Sequence, residues 1–176
     1  MHNKLLPALF MLSLGLPGLL AAQSQPAEPA TARANAAVLE QLDFTDARAF
    51  EDARRGFIAA AEDPLLNPDG SLSWGMGAYA FLDGAAPDTA NPSLWRQAQL
   101  NRIHGLFRVT DGIYQIRGMD LANMTVVEGD SGLIIIDPLL TPTTARAALD
   151  LYLQHRPQKP VAAGIYTHNH VDHFAG

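Results

Sequence analysis

The chain contains no cysteine, and that absence removes two possibilities at once. No disulfide framework can form, and no thiolate can hold zinc, so a bound metal would have to rest on histidine and carboxylate donors. Positive charge is also scarce: 12 Lys and Arg stand against 18 Asp and Glu, for a formal net charge of −6. Binding a phosphate backbone draws on clustered cations, and no such cluster occurs, so nucleic acid is excluded as an expected partner. An unbroken apolar run of roughly 20 residues, the length needed to span a bilayer, is missing too. The nearest approach, Leu5 to Leu20, is interrupted by Pro7, Gly15, Pro17 and Gly18. Charged residues make up only 17% of the 176 residues and apolar ones 48%, enough to bury the core of about one ordinary domain.

What the N-terminus does have is Lys4, the apolar stretch, and the small residues Ala21-Ala22 before Gln23. This order predicts a cleavable signal peptide over residues 1–22 and a periplasmic or secreted mature protein without a stable membrane anchor. With no cysteine at the cleavage site, a lipid-anchored lipoprotein is excluded. Residues 23–43 are rich in Ala, Pro, Gln and Thr without a hydrophobic period and read as a linker. The remaining 44–176 is expected to be part of one folded domain.

Within it, Asp46 as cap, the spacing of Phe50, Phe57 and Ile58, and Pro64 as terminator predict a first helix. Asn91 and Pro92 open a second, running to His104 before Gly105. Asn67-Pro68-Asp69-Gly70 marks a turn between them, and Gly75-Met76-Gly77 a bend. From Leu106 the period shortens. Phe107–Val109, Ile113–Ile116, Met124–Val127 and Leu133–Ile136 read as consecutive antiparallel strands, the last of them buried and central, with Gly129 to Gly132 as a hairpin connection. A helix over 141–154, capped by Thr141 or Thr143, then a buried strand over 161–167, complete a β-α-β unit. The expected class is α/β (α+β), a mixed sheet flanked by helices.

The chemistry is concentrated in Thr167-His168-Asn169-His170-Val171-Asp172-His173, where four metal-competent side chains follow directly on a strand. If the strand geometry persists, His168 and His170 point to one side and can converge on one ion. Asp172 and His173 follow as the chain turns, which suits a second ion roughly 3.5–4 Å from the first. A mononuclear zinc site, with Asp172 orienting a ligating imidazole, and a plain polar turn are the alternatives. Asp137 ends the central strand beside the histidine loop and could hydrogen-bond a ligating side chain from behind, or simply form an Asp-Pro turn. His104 and His155 read as structural. Arg117 and Asn123 could meet an anion but are as readily solvated, and Trp74, Trp95, Tyr79 and Phe81 could line an alkyl groove but fit a core as well.

His168-Asn169-His170-Val171-Asp172-His173 resembles the His-x-His-x-Asp-His signature of the metallo-β-lactamase superfamily. Asn91 to Gln97, His104 to Phe107, Gly112 to Gly118 and Asp120 to Thr125 resemble the upstream blocks of its alkyl sulfatase branch, so that the likeness covers Phe44 to Gly176. The resemblance implies the αβ/βα sandwich of that superfamily, of which this chain would be the N-terminal half. It implies two Zn2+ ions, with His168 and His170 on one and Asp172 and His173 on the other. It further implies hydrolysis of alkyl sulfate esters to an alcohol and inorganic sulfate, and a homodimer. Two ions with about three protein ligands each need about six donors, and the loop offers four, so the others are expected beyond Gly176 and the chain alone is expected to be inactive. A lactonase or β-lactamase of the same fold, or a non-catalytic metal-binding module, are the other readings.

Overall fold

The computed structural model of the protein describes residues 25–176, so the expected signal peptide over 1–22 lies outside the described residues. Among those described, no helix is long and apolar enough to cross a membrane. The stretch expected to be an irregular linker carries helix α1, Pro29–Gln41, where it is described. Its alanines have high helical propensity and Pro29 suits the first turn, but no residue of α1 is buried. The helix therefore rests largely on local propensity, with Asn35 Nδ2 donating to the Asp88 carbonyl at 2.7 Å as a tether.

The next helix is shorter than the spacing predicts. Helix α2 spans Arg48–Arg54 and stops there, because Gly56 adopts φ +74° and turns the chain into strand β1, Phe57–Ala59. Phe57 and Ile58, expected on the helix, instead lie on this strand. The turn at 67–70 joins strands β2, Leu65–Leu66, and β3, Leu72–Trp74, as a small hairpin. What the sequence presents as a bend at Gly75-Met76-Gly77 continues into a tight 3-10 turn over Met76–Leu82, whose first amides are held by the Asp63 carboxylate.

Helix α3, Pro92–Asn101, begins as expected, with the Asn91 side chain accepting from the amides of Ser93 and Leu94, but ends three residues short of His104. Gly105, at φ +127°, then opens β4, Gly105–Thr110. Strands β5, Ile113–Arg117, β6, Met124–Glu128, and β7, Leu133–Ile136, follow as an antiparallel meander. Helix α4, Pro142–His155, crosses back to β8, Val161–Ile165, which pairs parallel with β7. The main sheet is six-stranded, in the order β1-β4-β5-β6-β7-β8. A mixed sheet flanked by helices is thus the architecture.

Its core gathers Leu106, Ile116, Met124, Val126 and Leu133 from the strands with Ala148, Leu151 and Tyr152 from α4. Each of the larger apolar side chains, fully withdrawn from water, contributes roughly 1.5–3 kcal/mol. One expectation fails here. Among the described residues strand β8 is exposed at every residue rather than buried: it pairs with β7 alone, and no described element covers Val161 or Ile165.

Candidate metal centre

Because β7 and β8 run parallel, they end side by side, and the loops that leave them meet. Asp137, the first residue after β7, donates its amide to the Ile165 carbonyl at 3.0 Å and takes up φ +55°. Asp is among the few residues that tolerate this left-handed conformation. The turn aims its carboxylate at the neighbouring loop. There Asp137 Oδ1 accepts from the Thr167 amide at 2.8 Å, and Oδ2 accepts from the Thr167 hydroxyl at 2.7 Å and from His173 Nδ1 at 2.9 Å. Two residues on, Leu139 also has positive φ, +75°, and is fully buried. Its carbonyl receives the Gly176 amide at 3.0 Å, which fastens the far end of the histidine loop.

These hydrogen bonds determine where the imidazole protons sit. The Thr167 hydroxyl has one proton and gives it to the carboxylate, so toward His168 it can only accept. His168 Nδ1, 2.9 Å from that oxygen, must therefore be the protonated nitrogen, and its Nε2 carries a lone pair when the ring is neutral. His173 gives its Nδ1 proton to Asp137 directly and likewise presents Nε2 as an acceptor. One carboxylate thus sets the tautomer of two histidines, one directly and one through a hydroxyl. Burial pushes the Asp137 carboxyl up, but the Thr167 amide, the Thr167 hydroxyl and His173 together outweigh it and hold the group below its ordinary range. It remains an ionised acceptor.

The freed nitrogens face other donors. His168 Nε2 lies 3.0 Å from His170 Nδ1, and His173 Nε2 lies 3.4 Å from Asp172 Oδ2. Two ligands at 2.0–2.1 Å on a tetrahedral ion are separated by roughly 3.3–3.4 Å, so both pairs have close to the spacing that one ion requires. The donors are nitrogen and oxygen, as a metal site in a cysteine-free chain demands. Among the described residues no group of three or more His, Asp or Glu side chains is arranged to hold an ion. They stand as two pairs, with the His168 and His173 rings 4.1 Å apart between centroids.

The structure therefore brings together His168 with His170, Asp172 with His173, and Asp137 behind them. Reading the residues alone missed Thr167, whose position immediately before the first histidine was the available signal. It also missed Asp120, a buried carboxylate that accepts from Leu140 N at 3.0 Å and Thr144 Oγ1 at 2.6 Å, and so ties the β5–β6 loop to the loop after Asp137. His104 Nδ1 meets the Arg102 carbonyl at 2.7 Å. His155 is exposed at the end of α4. Arg117 spends donors on Gln115 and the Ala53 carbonyl and lies over the Phe107 ring; burial lowers its pKa. Asn123 makes no hydrogen bond to the histidine loop among the described residues.

Residues 117–176 match the metallo-beta-lactamase superfamily model. Over 99% of its length the chain is 56% identical to an (R)-specific secondary-alkylsulfatase of a Pseudomonas species, covering 27% of that protein. Over 87% of its length it is 55% identical to a linear primary-alkylsulfatase, also from a Pseudomonas species, covering 23% of it. The solved structure of a stereoselective inverting sec-alkylsulfatase from Pseudomonas superposes with a TM-score of 0.80 at 58% identity, over 86% of this chain and 24% of that one. The chain spans about a quarter of the length of the curated relatives it matches.

Proposed function

Because the chain belongs to the metallo-β-lactamase superfamily, in its alkyl sulfatase branch, we propose that the full-length protein is a zinc-dependent hydrolase that cleaves alkyl sulfate esters. Water is consumed, and an alcohol and inorganic sulfate are released. The observation that carries this reading is the pair of donor pairs at the strand end, each near the bite of one tetrahedral ion, with Asp137 fixing the imidazoles from behind. His168 and His170 would hold one zinc ion, and Asp172 and His173 a second. Bound ions supply Lewis acidity, which draws the ionisation of water toward neutral pH and takes up charge on the departing sulfate.

The chain's own residues do the positioning. Asp137, an acceptor only, keeps protons on the inward nitrogens of His168 and His173 and leaves the outward ones free. The Leu139–Gly176 hydrogen bond and the tight turn at Val171–His173 limit how far the loop can swing. Since exchange of a neutral nitrogen for a protonated one abolishes metal binding, this control of tautomer is a condition of activity. The relatives' names include both secondary and primary alkyl sulfatases, so the substrate class proposed is the alkyl sulfate ester without a fixed attachment. Export to the periplasm or medium, from the signal-like residues 1–22, and assembly as a homodimer belong to the same proposal.

Sulfate release from dodecyl sulfate by the full-length protein, with metal content measured by elemental analysis, is the test. Release that chelation removes and zinc restores, and that His170→Ala abolishes, is expected. Hydrolysis of a lactone or β-lactam without any sulfate release would assign the protein to another branch. Sequencing the N-terminus of exported protein checks the expected start near Gln23.

A further inference from the structure

Aspartate followed by glycine is open to a spontaneous rearrangement of the backbone, because glycine has no side chain to keep its amide nitrogen away from the preceding carboxyl group. The chain has three such pairs, Asp69-Gly70, Asp83-Gly84 and Asp111-Gly112, and no asparagine is followed by glycine. In each pair the glycine has positive φ, +83°, +100° and +74° in that order, so backbone conformation does not tell them apart. Their surroundings do.

At the first pair both reacting groups are taken. Asp69 Oδ1 accepts from the Ser71 hydroxyl at 2.6 Å and the Ser71 amide at 2.9 Å, while the Gly70 amide donates to the Asn67 carbonyl at 2.9 Å. The bonds from Ser71, the hydroxyl's first and the amide's second, hold the Asp69 carboxyl below its ordinary range, in the ionised form that a nitrogen does not attack. Asp83 is held by a cation. Arg102 Nη1 donates to its Oδ1 at 2.6 Å, and the Arg102 side chain is only 28% exposed. Asp111 has neither restraint. Its side chain is 99% exposed and makes no hydrogen bond among the described residues; Arg108 stands 3.6 Å away and is itself 60% exposed, so water screens that pair.

The turn that carries Asp111 is pinned on one side only. Thr110 pairs with Ile113 across it, and the Gly112 carbonyl accepts from the Glu128 amide at 2.8 Å, which fixes the strand that leaves. Among the described residues nothing accepts from the Gly112 amide, so the peptide group between Asp111 and Gly112 is free to turn its nitrogen toward the carboxyl.

We propose that Asp111 is a site of isoaspartate formation in the folded protein. The Gly112 nitrogen attacks Cγ of the protonated Asp111 carboxyl. As the N–Cγ bond forms, the amide proton and the carboxyl hydroxyl leave as water, and a succinimide ring closes. Water then adds to one of the two ring carbonyls. Opening at Cγ restores aspartate, whereas opening at the former main-chain carbonyl sends the backbone through Cβ and Cγ, one atom longer, with a free α-carboxylate. The longer backbone cannot keep the Thr110–Ile113 pairing, so the tip of β4 and β5 loosens. That tip lies at the sheet end away from the histidines, since Ile116, toward the other end of β5, pairs with Met124, and Thr125 pairs with Ile136 beside Asp137.

The test is to age the full-length protein in neutral buffer and label it with an isoaspartyl methyltransferase and labelled S-adenosylmethionine, the labelled peptide then being located by mass spectrometry. Label should accumulate on the peptide holding Asp111, preceded by a form of that peptide lighter by one water, with none at Asp69 or Asp83. Asp111→Glu, which would have to close a six-membered ring, should lose the label. Asp111→Asn, which expels ammonia in place of water, should gain it severalfold faster. Arg102→Met, which frees the Asp83 carboxyl, should add Asp83 as a second labelled site. Amide exchange should quicken at Thr110 and Ile113 in step with the label. Label that appears at Asp69 or Asp83 before Asp111, or at Asp111 only after unfolding in urea, would overturn the proposal.

Discussion

Replacing Thr167 by valine keeps the shape of the side chain and removes a single oxygen, which makes it the sharpest probe of how the histidine loop is set. That oxygen has two partners, Asp137 Oδ2 at 2.7 Å and His168 Nδ1 at 2.9 Å. Without it His168 Nδ1–H has no acceptor, and nothing favours the tautomer that leaves Nε2 free. A hydrogen bond to a charged group is worth roughly 1.5–3 kcal/mol, and the exposure of Thr167 argues for the lower end. Partners behind metal ligands typically account for 10–100-fold in affinity, about 1.4–2.7 kcal/mol, so the two routes to the magnitude agree. Thr167→Val is therefore expected to weaken zinc binding by about tenfold while lowering fold stability by only about 1 kcal/mol, and Thr167→Ser to restore most of the affinity. Competition for zinc against a chromogenic chelator gives the first quantity, and urea denaturation of the metal-free protein the second. Zinc affinity unchanged in the valine variant, or lost equally in the serine variant, would refute the relay from Asp137 through Thr167 to His168.

Three further outcomes are expected. Asp120→Asn replaces an acceptor that faces the Leu140 amide and Thr144 hydroxyl with a group that can donate, and should cost roughly 1–3 kcal/mol in urea denaturation. Gly56→Ala would set a Cβ 2.0 Å from the Arg108 carbonyl oxygen at φ +74°, so β1 must detach; a loss above about 2 kcal/mol and early amide exchange across β1 should follow. Glu128 is held below its ordinary pKa of 4.5, first by its hydrogen bonds from Arg156. A depressed folded-state pKa means that its contribution is complete above pH about 4.5 and is lost as pH falls through the lower, folded value. Arg156→Met should flatten the acid side of the stability curve, measured by denaturation from pH 6 to 3.

Much of this molecule is legible in the residue order. The meander from β4 to β7 shows as alternating and then continuous apolar runs, and Thr141 announces α4 through a capping box with Thr144. The failures have one physical cause, which is that tertiary pairing overrides local period. Phe57 and Ile58 continue the helical spacing of α2, yet Gly56 lets the chain reverse and gives them to β4 as partners. Strand β8 has the composition of a buried strand, but among the described residues it pairs with β7 alone and is left exposed. At the site, the pairing of donors could be anticipated from strand geometry. The role of Thr167 could not, because it depends on Asp137 lying across the gap between two strands, 30 residues away in sequence.

That juxtaposition depends on a single reversal of strand direction. Strands β4 to β7 run antiparallel, so successive connections alternate between the two ends of the sheet. Helix α4 breaks the alternation by carrying the chain back so that β8 lies parallel to β7, and Asp137 and Thr167 then emerge at the same end, one strand apart. Had β8 followed by another tight hairpin, the histidines would leave the sheet at the end opposite Asp137, and no carboxylate of β7 could fix their protons. The crossover also explains Asp120. By receiving Thr144 from the first turn of α4 and Leu140 from the segment before it, this buried carboxylate fixes where the crossover starts, and through the Asp137–Leu139 turn it fixes the direction of the Asp137 carboxylate. Helix, turn and histidine loop are therefore joined by one set of hydrogen bonds, in which the β5–β6 loop takes part through Asp120.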